Sequence, residues 1–132
     1  MYFLDTKTCI YFLNGKYESV KEKLLSTASG EIKIPAIVKA ELLYGANKSQ
    51  NKLSTLKKLN TFLDAFEIIP FTDEMSFSYA DIRASLEKKG TLIGPNDLFI
   101  ASTVLQLNGT LVTNNVDEFK RVPKLKIENW VK

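Results

Sequence analysis

The chain has no histidine and only one cysteine, Cys9. Without imidazole there is no Ser-His-Asp or Cys-His catalysis, no histidine acid–base chemistry, and almost no zinc or haem site. A single cysteine excludes an internal disulfide and a cysteine cluster for zinc. Arginine is also scarce. Of 18 basic residues only Arg83 and Arg121 are arginines, so bidentate reading of guanine is not a theme. No apolar run approaches the ~20 residues of a membrane helix. The apolar start, Met1–Tyr11, carries Asp5 and Lys7 and no cleavage signal, so a cytoplasmic protein is expected. An enzyme built from this composition has carboxylates, lysines, hydroxyls or a hard metal ion held by oxygen to work with.

What remains is ordinary for a globular protein. The 132 residues are 45% hydrophobic and 25% charged, which suits one domain over residues 1–132 with a core that needs no staples. The net charge of +3 is too mild to argue for nucleic acid by itself.

Apolar runs and breakers alternate along the chain. Strands are expected at Tyr2–Leu4, Ile32–Ile34, Glu67–Phe71, Thr110–Thr113 and Lys126–Trp130. A helix is expected over Thr8–Leu13, and another from Ser19, whose spacing to Glu22 is that of a capping box. Pro35 opens a helix to about Ala46, and leucines at helical spacing mark Asn51–Phe66. Thr72 caps a helix from Asp73 to about Lys89, another spans Asn96–Leu107, and Asn114-Asn115 reads as a turn. Strands separated by helices imply a parallel sheet covered on both faces, with ligands at the carboxyl ends of the strands.

Four acidic positions sit where an acid is costly. Asp5 directly follows the first strand, as a helix N-cap or as a ligand at a strand end. Glu41 shares a helical face with Ile37, Ala40 and Tyr44, where a carboxylate is expensive to bury unless paired or metal-bound. Asp97 favours a helix dipole, yet Ile100, Ala101 and Val104 follow at core spacing, so it starts the inward stripe. After strand Thr110–Thr113, any of Asn115, Asp117 or Glu118 can lean into a site. Carboxylates converging on one edge of a parallel sheet repel one another. A hard cation, Mg²⁺ or Mn²⁺, removes that cost, can activate water and can stabilise a phosphoryl transition state.

Four blocks carry a resemblance from end to end. They are Tyr2–Thr6 (YFLDT), Ile34–Ala46 (IPAIVKAELLYGA), Ile93–Ala101 (IGPNDLFIA) and Leu111–Pro123 (LVTNNVDEFKRVP), with Trp130 near the terminus. In order and spacing they resemble PIN-domain ribonuclease toxins of the VapC type. The resemblance implies a three-layer α/β fold with a central, mainly parallel sheet flanked by helices. It implies RNA cleavage with Mg²⁺ or Mn²⁺, a VapB-like antitoxin, and a homodimer that forms a heterotetramer or larger assembly with it. It matches Asp5, Glu41 and Asp97 to the family's first three acids, Asp5 and Asp97 as metal ligands and Glu41 directly or through water. Asn115 stands where many PIN domains have a fourth acid.

Lys7 stands where the family usually has Asn. Its ammonium either contacts phosphate or competes with the metal. Thr6, Lys7, Thr113, Lys120 and Arg121 are the expected substrate contacts. With four acids assigned to metal, 18 basic residues face 11 acids, leaving a surface of about +7 that favours phosphate. Lys48, Lys52, Lys57 and Lys58 are further sources of such contacts. The Glu41–Gln50 stretch resembles family members that cut initiator tRNA in its anticodon loop, an analogy only. The alternative is a PIN-like RNA- or protein-binding module whose catalysis is weakened by Lys7.

Overall fold

The computed structural model describes all 132 residues. Five short strands form one all-parallel sheet in the order β3-β2-β1-β4-β5: β1 Tyr2–Leu4, β2 Ile32–Pro35, β3 Glu67–Ile69, β4 Thr110–Val112 and β5 Lys126–Glu128. Leu4 pairs with Val112 and Phe3 with both Lys33 and Leu111, so β1 is central and Phe3 and Leu4 are completely buried. The outer strands β3 and β5 are at most half-buried, as sheet edges are. The connections build outward from β1, first to β2 and β3 and then to β4 and β5. The sheet's switch point therefore lies between β1 and β4, where a parallel α/β sheet opens a crevice at its carboxyl edge.

The helices are α1 Thr6–Asn14, α2 Glu18–Ser26, α3 Ala36–Asn47, α4 Lys52–Leu63, α5 Asp73–Lys88, α6 Pro95–Gln106 and α7 Val116–Phe119. The expected α/β architecture is thus observed. Helix α6 buries Leu98 and every residue from Ile100 to Val104, and its Ser102 and Thr103 hydroxyls satisfy themselves on the carbonyls of Leu98 and Phe99. Ile100, Ala101 and Val104 are in the core, as their spacing to Asp97 implies.

Several boundaries differ from the sequence expectation, each for a local reason. Helix α1 starts two residues early, at Thr6, because Asp5 caps it by accepting the Thr8 N–H at 2.9 Å. Helix α2 starts at Glu18 and not after Ser19. The Ser19 hydroxyl is drawn to the Val131 carbonyl at 2.8 Å instead of capping. Pro35 closes β2, and the helix begins at Ala36. Helix α4 ends at Leu63, with Ala65 and Phe66 folding back through turn hydrogen bonds. Beyond the Asn114-Asn115 turn the chain makes a further helical turn, α7, which buries Phe119.

Helix α3 is apolar nearly all round, and only one stripe is in the core. Val38, Leu42 and Ala46 are buried, whereas Ala40 and Tyr44 are exposed. Glu41 therefore sits at the border of the helix's buried face, half-buried, and not within an apolar surround.

Candidate active site

The carboxyl edge at the switch point is where the acids meet. Asp5 leaves β1 and is 6% exposed. Its Oδ1 accepts the Thr8 N–H, and its Oδ2 accepts the Thr113 hydroxyl at 2.5 Å, from the residue just beyond β4. Burial raises the Asp5 pKa, opposed by the hydrogen bonds from Thr113 and Thr8 and by the charge of nearby Lys7. Thr113 is fully buried, and its oxygen also accepts the Asn115 N–H at 3.0 Å, so one hydroxyl ties the ends of β1 and β4 to the start of α7. Glu41 is brought in from α3, where its Oε1 accepts the Thr6 hydroxyl at 2.7 Å.

Asp97 lies in the first turn of α6 and faces Glu118 on α7 closely enough to share a proton. Burial, that hydrogen bond and the charges of Glu118, Asp5 and Glu41 raise its pKa to about 7. Burial works against the charge of Glu118. Its hydrogen bonds from Asp97, the Gly94 N–H at 3.1 Å and the Asn115 side-chain amide at 2.6 Å prevail, and its pKa is lowered. In the metal-free protein the proton of the pair therefore resides on Asp97. Asp97 feels the charges of the other three acids, and none of the four has a lysine or arginine within ion-pair distance.

Two neighbours of Glu118 are placed differently. Asp117 is 93% exposed and paired with Lys120 at 3.2 Å, because adjacent helical residues point about 100° apart and Glu118 takes the inward direction. Asn115 lends its amide to Glu118. The other expected contacts also have partners. Thr6 and Thr113 hold Glu41 and Asp5, and Arg121 reaches the Leu92 carbonyl at 3.4 Å. Lys7 is exposed and unpaired. Sequence reasoning did not single out Thr8 or Gly94 as holders of carboxylates. The signals were available: a hydrogen-bonding residue three places after a strand-end acid, and Gly-Pro at a helix start. Cys9 is buried beneath Asp5, and burial and the Asp5 charge push its thiol pKa well up, so it is inert.

The donor chemistry fits a hard divalent cation, since the site is all oxygen, no lysine or arginine is ion-paired with its acids, and Asp97 has its pKa raised by burial and by the other acids. The side chains do not gather three acids around one point. Asp5 and Asp97, with Glu41 and Glu118 beside them, are the residues that would hold such an ion.

Comparison with known proteins agrees with this geometry. Residues 2–125 match the PIN domain model. The chain is 47% identical to Ribonuclease VapC2 of Rickettsia felis over 133 residues, covering 100% of this chain and 99% of that protein. It is 35% identical to the tRNA(fMet)-specific endonuclease VapC of Salmonella typhimurium, covering 98% and 97%. The crystal structure of VapBC2 from Rickettsia felis, bound to a DNA fragment from their promoter, superposes with a TM-score of 0.92 at 46% identity, covering 98% of each chain. No helix is long and apolar enough to cross a membrane. The sheet order, the acids at its switch point and matches spanning the whole chain agree: the chain belongs to the PIN-domain family, among its VapC ribonucleases.

Proposed function

We propose that the chain is a metal-dependent endoribonuclease toxin that hydrolyses an RNA phosphodiester at the Asp5–Glu41–Asp97–Glu118 edge. The observation that carries this reading is the convergence of four acids on one sheet edge, held there by hydroxyls and backbone N–H groups with no lysine or arginine ion-paired to any of them. Mg²⁺ or Mn²⁺, held by Asp5 and Asp97 with help from Glu41 and Glu118, would supply Lewis-acid chemistry: it would neutralise phosphoryl charge and make a water a better nucleophile.

The protein's own part is positioning. Thr8 and Thr113 fix both oxygens of Asp5, and Thr6 fixes Glu41 so that its free oxygen can orient the attacking water. The Gly94 N–H and Asn115 fix Glu118. Held in this way, the acids need little reorganisation as charge develops.

The substrate we propose is tRNA, initiator tRNA in line with the name of the tRNA(fMet)-specific relative from Salmonella typhimurium, cut in its anticodon loop in line with the resemblance of Glu41–Gln50. A VapB-like antitoxin would neutralise the protein by laying an arginine or lysine over the acids, in a homodimer-based heterotetramer or larger assembly. The test is cleavage of purified tRNA by the purified chain with Mn²⁺, with EDTA, and with Asp97→Asn. Cleavage is expected only with metal and the wild-type acid, and substantial cleavage by Asp97→Asn at saturating Mn²⁺ refutes the assignment.

A further inference from the structure

A groove of about 450 Å³ runs between α1, α3 and α4. Its floor includes the buried side chains of Leu42 and Leu59, and its rim carries Asn14, Thr55 and Lys58. Glu41 lines it too, so the groove opens directly onto the acid cluster. Helix α4 along one side carries Lys52, Lys57 and Lys58 and no acid, and none of the three is ion-paired. Of these, Lys58 lines the groove, which therefore leads from the acid cluster at Glu41 to a free cation on α4. It is small. Eleven residues line it, against the roughly 20–30 per side of a stable protein interface, and its volume is that of a site for a small organic group.

We propose that this groove is the path of the RNA strand beside the scissile phosphate and takes one flanking nucleotide. The base lies on Leu42 and Leu59, Asn14 and Thr55 meet its edge, and Lys58 meets the adjoining phosphate. An unstacked base read by side-chain amides and hydroxyls is how single-stranded RNA is recognised with sequence preference. The inference rests on the ribonuclease reading and deepens it, because it gives the acids a substrate subsite and makes α1 and α4 determinants of which loop is cut.

The fold supplies its own test position. Gly45 faces the groove from the last turn of α3. A Cβ there meets nothing within 4 Å, and its φ needs no glycine. Gly45→Leu therefore grows into the groove and favours the helix. Binding of a fluorescent single-stranded RNA is measured by anisotropy in EDTA, where nothing is cut, and steady-state cleavage of the same RNA is measured with Mn²⁺.

Gly45→Leu is expected to weaken binding about tenfold or more, with the loss in cleavage falling on KM more than on kcat. Lys58→Ala is expected to lower the salt slope of log K by about one. Wild-type binding by Gly45→Leu overturns the proposal. If that variant instead escapes inhibition by the antitoxin while binding RNA normally, the groove belongs to a protein partner and the proposal again fails. Groove-dependent RNA binding without cleavage by the wild-type chain supports the subsite and refutes the ribonuclease reading. No RNA binding at all overturns the subsite.

Discussion

Asp97→Asn tests the electrostatics of the site apart from its chemistry. In the metal-free protein Asp97 holds its proton to about pH 7, whereas in the unfolded chain it ionises near its ordinary 3.8. Between those values the folded state binds more protons than the unfolded state. By linkage, stability falls as pH rises through that window and levels off above it. A shift of about three units is worth roughly 4 kcal/mol if fully expressed. Asp97 is only half-buried, so solvent screening cuts the figure to about 1–2 kcal/mol.

Asn cannot ionise, and it can still donate a hydrogen bond to Glu118. The variant should therefore match the wild type near pH 4 and exceed it by about 1–2 kcal/mol at pH 8, with the gain developing between the two. Urea unfolding in EDTA measures it, and a urea slope of about 1–3 kcal/mol/M turns the gain into a midpoint shift of about 0.5–1 M. A variant no more stable than the wild type at pH 8, or equally stabilised at both pH values, would refute the shared proton. The same variant with Mn²⁺ should retain less than about 1% of cleavage activity, because a ligand charge is gone.

The shared proton also predicts that Mg²⁺ affinity rises with pH and levels off above about 7, since the ion must displace the proton from Asp97; a pH-independent affinity by calorimetry between pH 6 and 8 refutes this. Thr113→Val removes a buried charge-assisted hydrogen bond from Asp5. It should cost about 1.5–3 kcal/mol at pH 8 and less at pH 4, read by urea unfolding; equal losses at the two pH values count against it. Lys7→Asn takes an exposed cation from beside Asp5, so the half-saturating Mg²⁺ for cleavage should fall about two- to fivefold; an unchanged or higher value assigns Lys7 to RNA phosphate. Gly109→Ala would drive a methyl into the buried Phe3 ring beside β1 and should cost about 1–3 kcal/mol in thermal or urea unfolding; a neutral result refutes the clash.

The sheet and most helices were legible because they are local. Phe3 and Leu4 before Asp5, or Leu111 and Val112 before Thr113, read as buried strands from the chain alone. What was not legible depended on contacts between distant segments. Ser19 has the spacing of a cap, yet its hydroxyl goes to Val131, 112 residues away. The four-residue α7 is too short for periodicity to reveal, and its phase alone turns Glu118 toward Asp97 and Asp117 toward Lys120. Three of the acids could be singled out as costly, but the sequence did not say which of the 114–118 residues faces them.

The hydroxyls show the same division more sharply. Thr6 and Thr113 were among the expected substrate contacts. In the fold those positions bring them within reach of carboxylates on other elements, Glu41 and Asp5, whose oxygens accept their hydroxyls. Four like charges held at one edge lose stability when no cation is bound. The site can persist in that state only because hydroxyls and backbone N–H groups fix Asp5, Glu41 and Glu118, while a proton relieves Asp97. The threonines at the strand ends are therefore as much a signature of the site as the acids. A chain with the acids but with valine at 113 would keep the ligands and lose their alignment.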